Sequence, residues 1–578
     1  EFVKLLLYTD EQEKITGDRG ADFRGEAYTY IAGSLTNIRL VPSNGYGGVW
    51  VCANVAGTYT TPAPSGGPTG SAYVDEFYVV VGSQNTAEAT YRLNNANGVA
   101  ASNVMNDCTT DGYDGVICVG SYRTAHWRGP DFLPGAPAST QRHVITHVIK
   151  DMNVVGAVSH TLTSTVGGSA HTTALMLDTC ELLVGGRVYD GSIAFRTDAT
   201  ATVTAGSSTN VGYLVRTLVN GCGRSVLHEM AQQYFPRSAV YIPQAKIVKA
   251  THRRASDGWW ACVEMGTAAV YYGRTLSGTG KRLVARHQFD GAVVMLREVS
   301  VTAFGPIIDD GAGGVWFGGR GGTTTHCGAG GPALGGTDAA LLCRWDGNGN
   351  ILVQLRPQTA TLNGAPTVVA LWPYLRWRFG VLVAIHSTAA AITLGTLPTL
   401  TAAGGTLGSV VAVVTATGTY ERAVRWGGAT AAAYVTVHGF ADAQYVGGVA
   451  GEAPTYIVGI TIQSGATVTL GGLGGRTAGA TNEGWILRMS YLLDPKLATK
   501  FVFAVTNGGI INVVGDTENV YVHVRASSFQ ATDYNAVLKT YSLCTSPTAC
   551  DAVLPVDFAT LRSLRSEEHT SELQSRLQ

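Results

Sequence analysis

Short runs of β-branched and aromatic residues alternate with Gly-, Asn- and Asp-rich turns along most of the chain. One of these runs, first seen as Val49-Trp50-Val51-Cys52, occurs eight times in total. The second residue of each copy stands at Trp50, Ile117, Leu183, Trp260, Trp316, Leu382, Tyr456 and Tyr521. Their mean spacing is about 67 residues, which indicates an internal repeat.

A second run alternates with the first along the chain and occurs nine times in total. Its copies begin at Phe2, Phe77, Val144, Leu214, Val284, Leu341, Val411, Ile486 and Val537. Their spacing is again about 67 residues, so two independent markers share one period. Short segments of this composition between turn residues are typical of strands, and each repeat has room for roughly four of them.

Turn residues between the runs predict hairpins. Asp346-Gly347-Asn348-Gly349-Asn350 separates two strand-like segments, and its glycines supply the positive φ of a tight turn. Helical periodicity is almost absent, and residues 225–234 are the one segment in which we expect a short helix.

The repeat predicts an all-β fold, a β-propeller of about eight four-stranded blades, because each blade can bury its two faces only against its neighbours. Two alternatives remain open. A β-solenoid would have a much shorter period, and a string of sandwich domains would have a period nearer to about 100 residues.

The unequal marker numbers predict a leading half blade. Residues 1–24 are interpreted as a hairpin of a truncated N-terminus, which either belongs to a lost upstream blade or fills a gap in the ring. Residues 25–560 are the predicted propeller, and residues 561–578 are a predicted non-native or disordered tail. In that tail, the segment from Arg565 to Ser575 resembles a translated sequencing adapter. The alternative is a genuine polar tail.

Composition narrows the function classes. The 578 residues carry a net charge of -1, only 14% are charged, and 73 are glycine. These values exclude a coiled coil, a highly charged disordered chain and a basic nucleic-acid binder. Every long apolar stretch contains a charge within about 20 residues, so we expect no membrane span in this chain.

One repeat unit resembles the SBBP ("beta-propeller repeat") family. It reads Val315-Trp316-Phe317-Gly318-Gly319, then Gly335-Gly336-Thr337-Asp338-Ala339-Ala340-Leu341-Leu342, then Asn348-Gly349-Asn350. The resemblance is best over residues 300–357. It implies a propeller of the kind found on secreted and cell-surface proteins.

The chain has ten cysteines, and eight of them form four close pairs, each within one repeat. These pairs are Cys108 with Cys118, Cys180 with Cys222, Cys327 with Cys343, and Cys544 with Cys550. Close pairs that span loops are expected to form disulfides, which indicates an extracellular or cell-surface location. Cys52 and Cys262 occupy the same place in the first marker and are interpreted as buried thiols that pack as small hydrophobic residues.

The sequence carries no complete catalytic or metal signature. His228-Glu229-Met230-Ala231-Gln232 begins like a zinc-binding helix but has Gln at the second ligand position. His143 and His147 lie four apart on a predicted strand, which places both on one face of a sheet, where solvent exposure or packing against a loop is favoured over a metal site. The sequence thus predicts no cofactor, no metal and no catalytic residue.

An aromatic and basic cluster is the candidate ligand-binding site. Its rings and guanidinium groups can stack on sugars or on a partner protein, although a blade core explains them equally well. The residues are Trp372, Tyr374, Arg376, Trp377 and Arg378.

The features together favour a secreted or cell-surface propeller that acts as a non-catalytic structural, adhesive or filament module. Its expected partners are other extracellular proteins or copies of itself, with glycans as a further candidate and nucleic acid excluded. The alternative is a glycan-binding or glycan-active propeller whose acidic loop residues meet near the axis. Candidate acids are Asp75, Glu76, Asp309, Asp310 and Glu483.

Overall fold

The chain folds into consecutive units of about four antiparallel strands, here called blades. Strand pairing between neighbours joins blades 2 and 3, and blades 8 and 1, into larger sheets. The computed structural model describes the strands given below and several turns between them, from Thr29 to Asp557. No helix occurs in this described part.

The first four blades contain strands β1 to β20. Blade 1 consists of β1 (Thr29–Ser43), β2 (Gly48–Thr60), β3 (Val74–Gly82) and β4 (Ala87–Leu93). Blade 2 consists of β5 (Val104–Thr110), β6 (Val116–Tyr122), a small hairpin of β7 (His126–Arg128) and β8 (Asp131–Leu133), then β9 (Arg142–Val148) and β10 (Val154–Leu162). Blade 3 consists of β11 (Ala170–Met176), β12 (Glu181–Ala194), β13 (Thr202–Leu218) and β14 (Gln232–Tyr234). Blade 4 consists of β15 (Lys246–Ala250), β16 (Gly258–Met265), a small hairpin of β17 (Val270–Tyr271) and β18 (Arg274–Thr275), then β19 (Lys281–Gln288) and β20 (Val293–Val299).

The last four blades contain strands β21 to β42. Blade 5 consists of β21 (Ala303–Asp309), β22 (Val315–Gly321), β23 (Ala339–Trp345) and β24 (Ile351–Leu355), and is followed by the short β25 (Gln358–Thr359). Blade 6 consists of β26 (Thr367–Tyr374), β27 (Gly380–Ser387), the short strands β28 (Ala391–Thr393) and β29 (Leu400–Thr401), then β30 (Gly408–Val414) and β31 (Tyr420–Trp426). Blade 7 consists of β32 (Val435–Ala443), β33 (Thr455–Ile462), a small hairpin of β34 (Thr467–Thr469) and β35 (Gly475–Thr477), then β36 (Glu483–Ser490) and β37 (Pro495–Phe503). Blade 8 consists of β38 (Gly509–Gly515), β39 (Asn519–Ala526), a hairpin of β40 (Ser528–Thr532) and β41 (Leu538–Ser542), then β42 (Cys550–Asp557).

The first strands of the blades form a ring. Each contacts the first strand of the next blade, in the order β1, β5, β11, β15, β21, β26, β32 and β38, and β38 contacts β1 again. Residues 29–31 at the start of β1 pair with residues 551–553 of β42 and so supply the fourth strand of blade 8. The described strands therefore form an eight-bladed β-propeller, as the repeat predicts.

The first sequence marker is the second strand of every blade, from β2 in blade 1 to β39 in blade 8. The second marker is the third strand of blades 1 to 7. In blade 8 the second marker does not coincide with the third strand. The run that starts at Val537 enters β41, whereas the third strand is β42.

The difference in blade 8 arises from an inserted hairpin. β40 pairs with β37, so the hairpin of β40 and β41 extends the sheet of blade 7 and covers its outer edge. The run near Val537 has the composition of a strand and forms one, but its pairing partner is set by tertiary contacts that the repeat does not encode.

The helix expected over residues 225–234 is wrong at its C-terminal end, where β14 pairs with β13. A strand forms there because the long β13 offers an edge to which residues 232–234 can add. The rest of that segment, the predicted half blade over residues 1–24 and the tail over residues 561–578 lie outside the described residues.

The predicted hairpin at residues 346–350 is confirmed. The backbone N–H of Asp346 donates to Asn350 O at 3.0 Å, and Gly349 has a φ of +77°. The same five-residue turn joins β30 to β31, where Thr415 N donates to Thr419 O at 2.9 Å.

The core lies between the blades and is densest at the second strands. Trp50, Trp260 and Trp316 are fully buried there. Both faces of these inner strands are covered, so their sequence reads as a continuous apolar run rather than an alternating one. Gly459 on β33 allows the close approach of blade 8, since an added Cβ would lie 2.3 Å from Val513 Cγ2.

Candidate functional site

The aromatic and basic cluster predicted from the sequence is described only in part. Trp372 on β26 is partly buried and packs against the core shared by blades 6 and 7. Tyr374 pairs with Gly380 through the backbone, and its side chain is not described. Arg376, Trp377 and Arg378 lie outside the described residues. Trp372 thus contributes to packing, and a ligand-binding role for the cluster stays a prediction.

Asp310, which directly follows β21, is part of a buried ion pair. Asp310 Oδ2 accepts hydrogen bonds from Arg344 Nε at 3.0 Å and Arg344 Nη2 at 2.8 Å. Asp310 Oδ1 accepts from the backbone N–H groups of Ala312 and Gly314. Arg344 also donates to Ala416 O and lies over the ring of Trp316. The carboxylate therefore holds a turn and fixes Arg344, and Arg344 ties blade 5 to blade 6.

Glu483 is likewise engaged by its neighbours. Its two carboxylate oxygens accept from Trp485 Nε1 and Lys500 Nζ, each at 3.3 Å. Glu483 lies on β36 in blade 7, whereas Asp309 and Asp310 lie in blade 5. Asp310 and Glu483 are each held by a basic residue of their own blade.

Asp75 and Glu76 are part of β3, and their side chains are not described.

The turn of Asp310 has a counterpart in blade 2. Gly115 N donates to Asp111 Oδ1 at 3.0 Å, and Asp111 Oδ2 lies 2.9 Å from Nε2 of His147 on the third strand. Both turns read Asp-Gly-x-x-Gly, at residues 111–115 and 310–314. This motif was not predicted, although its spacing from the second strand is the same in both blades. It serves each time to pair a buried Asp with a basic residue of the third strand.

A buried polar cluster between blades 2 and 3 was also missed. Tyr213 Oη lies 2.7 Å from Nδ1 of His143 and 2.7 Å from Nδ1 of His171. All three side chains are inaccessible to solvent. They come from β9, β11 and β13, and only the pairing of blades 2 and 3 brings them together.

Gly186 makes room for this cluster. It pairs with Tyr213 on one side and His171 on the other. A Cβ at this position would lie 2.2 Å from Tyr213 Oη, well inside contact distance. A glycine between two polar residues of neighbouring strands is the sequence signal that the cluster offers.

Burial raises the pKa of the Tyr213 phenol well above its usual value. A neutral phenol has one proton to donate, so it donates to one imidazole and accepts from the other. The two histidines therefore carry their protons on different ring nitrogens. This arrangement links two blades by directed hydrogen bonds. His143 and His147 are both buried, and they are hydrogen-bonded to Tyr213 and to Asp111, respectively.

Two of the four predicted disulfides are confirmed. Cys108 and Cys118 are bonded and stand opposite each other on β5 and β6. Cys327 and Cys343 are bonded within blade 5. The side chains of the other two pairs, Cys180 with Cys222 and Cys544 with Cys550, lie outside the description. Cys52 and Cys262 are buried, as expected.

Two large apolar side chains are exposed at the same position of consecutive blades. Val294 and Leu352, each the second residue of the fourth strand, have 44% and 47% of their surface accessible. β20 and β24 end their sheets on the outer side. The equivalent residue of blade 6 is the exposed Glu421. We call Val294 and Leu352 the outer-strand pair.

No helix in the described part of the chain has both the length and the apolar character needed to cross a membrane.

No family model and no curated protein matches the chain. Among solved structures, it is similar to a subtype N10 neuraminidase-like protein of A/little yellow-shouldered bat/Guatemala/060/2010. The TM-score is 0.27 and the sequence identity is 9%, over 64% of this chain and 92% of that chain. At this level of similarity, the strand pairing and the ring of first strands are the basis for the fold.

Proposed function

We propose that this chain is a secreted or cell-surface β-propeller that acts as a non-catalytic structural or adhesive module. Its partners in this proposal are other extracellular proteins and, in the simplest case, further copies of itself.

The outer-strand pair is the observation that carries the proposal. Exposure of valine and leucine side chains to water is unfavourable, and full burial of each such side chain contributes about 1.5–3 kcal/mol. They lie on outer strands whose second backbone edge has no strand beside it in the described part of the chain. An apolar strand at a sheet edge is a surface on which another protein can dock.

Two further observations support the proposal. The two disulfides within blades 2 and 5 suit an oxidising compartment. Asp310 and Glu483, which a glycan-active site near the axis would use, are already held by Arg344 and Lys500.

The test is the molar mass of the purified chain, measured by light scattering over a range of concentrations. We expect the mass to rise above the 60.5 kDa of one chain, because two apolar edges can bury each other. A double variant with Val294→Lys and Leu352→Lys should keep the molar mass of one chain at every concentration.

Glu421→Lys is the matched control, since it changes an exposed residue at the same position of blade 6. It should assemble like the unmodified chain. A chain that keeps the mass of one copy at all concentrations would contradict self-association, and so would unchanged assembly of the double lysine variant.

A further inference from the structure

Three cysteine sulfurs meet between blades 1 and 2. The Sγ atoms of Cys52, Cys108 and Cys118 all lie within 4.8 Å of one another. Cys108 and Cys118 form the disulfide of blade 2, and Cys52 belongs to neither of the two described disulfides. A thiol thus lies beside a disulfide.

Fixed contacts hold these sulfurs together. The side-chain amide of Asn54 donates to Met105 O at 2.7 Å and accepts from Met105 N at 2.8 Å. Arg39, which stands opposite Cys52 in the pairing of β1 and β2, donates to Asp107 Oδ1 at 3.0 Å. Both contacts join blade 1 to β5, the strand that carries Cys108, so they set the register of the two blades around the sulfurs.

We propose that these three residues form a thiol–disulfide exchange site, in which the disulfide of blade 2 moves to Cys52 and links blade 1 to blade 2. The Cys52 thiolate forms a bond to Sγ of Cys108 or Cys118. The Cys108–Cys118 bond breaks, and its electron pair stays on the released sulfur, which takes up the proton that Cys52 gave up. One bond forms and one breaks, so no oxidant or reductant is consumed.

Exchange fits the sulfurs better than metal binding does, because two of the three are already covalently bonded and are not thiolate ligands. Cys108, whose sulfur is released when Cys52 bonds to Cys118, is only partly buried. A bond from Cys52 to either Cys108 or Cys118 would join blade 1 covalently to blade 2. This inference does not depend on the proposed function.

Blade 4 supplies an internal control. Cys262 has the same place in its second strand as Cys52, and it shares a core with the Cys327–Cys343 disulfide of blade 5. Among the described residues, however, only the sulfurs around Cys52 all lie within 4.8 Å of one another. We therefore expect exchange at the first set of cysteines and not at the second.

The experiment uses the unmodified chain with its native disulfides, incubated without reagents at mildly alkaline pH and then quenched with acid. Thiols are alkylated in acid, and the chain is digested with trypsin and Asp-N. Trypsin cuts after Arg92 and separates Cys52 from the other two cysteines, and Asp-N cuts before Asp111 and separates Cys108 from Cys118.

The expected result is a linked peptide that contains Cys52 with Cys108 or Cys118, together with alkylation of the released cysteine. It should increase with time and exceed any peptide linked through Cys262 by roughly tenfold or more. Cys52→Ala should abolish it, and the matched Cys262→Ala should leave it unchanged.

A second measurement tests whether Cys52 can bond to Cys108 independently of the rate of exchange. In Cys118→Ala, oxidised glutathione should join Cys52 to Cys108, taking up the two electrons and releasing two molecules of glutathione. Two findings would overturn the proposal. In the first, the native chain keeps the Cys108–Cys118 bond without any bond to Cys52, and the Cys118→Ala variant forms no Cys52–Cys108 bond. The other is equal exchange through Cys262.

Discussion

Replacing Asp310 by Ala should destabilise the propeller much more than replacing Asp346 by Ala. Both side chains hold a five-residue turn of blade 5 by accepting backbone N–H groups. They differ in burial, because Asp310 is 2% accessible and also pairs with Arg344, whereas the hydrogen bonds of Asp346 are exposed.

The magnitude follows from what each substitution leaves behind. Asp310→Ala leaves the buried guanidinium of Arg344 without its carboxylate, and breaking a buried pair in this way costs about 3–5 kcal/mol. Arg344 keeps its bond to Ala416 O and its contact with the Trp316 ring, which places the expected cost near the lower limit, about 3 kcal/mol. Asp346→Ala leaves groups that water can satisfy, at about 1 kcal/mol.

The assay is urea-induced unfolding of the full chain, followed by tryptophan fluorescence. Asp310→Asn keeps an oxygen for the turn but removes the charge, so it should lie between the two alanine variants. In a double-mutant cycle, Arg344→Met should cost little when Asp310 is already Ala, because the pair is then already broken. Equal effects of Asp310→Ala and Asp346→Ala, or additive effects in the cycle, would refute the reasoning.

Four further predictions concern the buried polar groups and the thiols. Tyr213→Phe leaves two buried imidazoles without the phenol and should lower the free energy of unfolding by about 1–3 kcal/mol; a change below the error of urea unfolding would contradict the role of the cluster. Gly186→Ala should destabilise the chain more than Tyr213→Phe does, because the added Cβ meets both the phenol and the backbone; a smaller effect in the same assay would show that the site is looser than described. Burial lowers the pKa of His438 from 6.5 to about 4, with His386 acting in the same direction. As the pH falls, the unfolded chain therefore binds this proton before the folded chain does. The free energy of unfolding should be highest above pH 6.5 and should fall by about 3 kcal/mol between pH 6.5 and about pH 4. A His438→Gln variant with the same acid sensitivity would contradict this prediction. Finally, the four predicted disulfides would leave two thiols among the ten cysteines, so thiol titration of the denatured, unreduced chain should give about two and not ten.

The sequence predicts the fold where local pattern and tertiary position coincide. The run around Trp316 is apolar throughout because β22 is covered on both faces, so its pattern already implies an inner strand. The turn at residues 346–350 is predictable for a similar reason, since the positive φ of Gly349 is a local requirement.

The polar contacts between blades could not be predicted in this way. His143, His171 and Tyr213 lie far apart in the chain, and no local pattern pairs them. The exposure of Val294 and Leu352 is equally hidden, because an outer strand and an inner strand can share the same residue types. The hairpin of β40 and β41 shows the same limit, since the edge that it covers belongs to another blade.

Electron microscopy of the purified chain at several concentrations tests the central claim most directly. It should show closed rings of eight blades, with the strand that begins at Thr29 completing the last blade, and contacts between rings through blades 4 and 5. Open rows of blades, or closed rings that stay apart at every concentration, would contradict it.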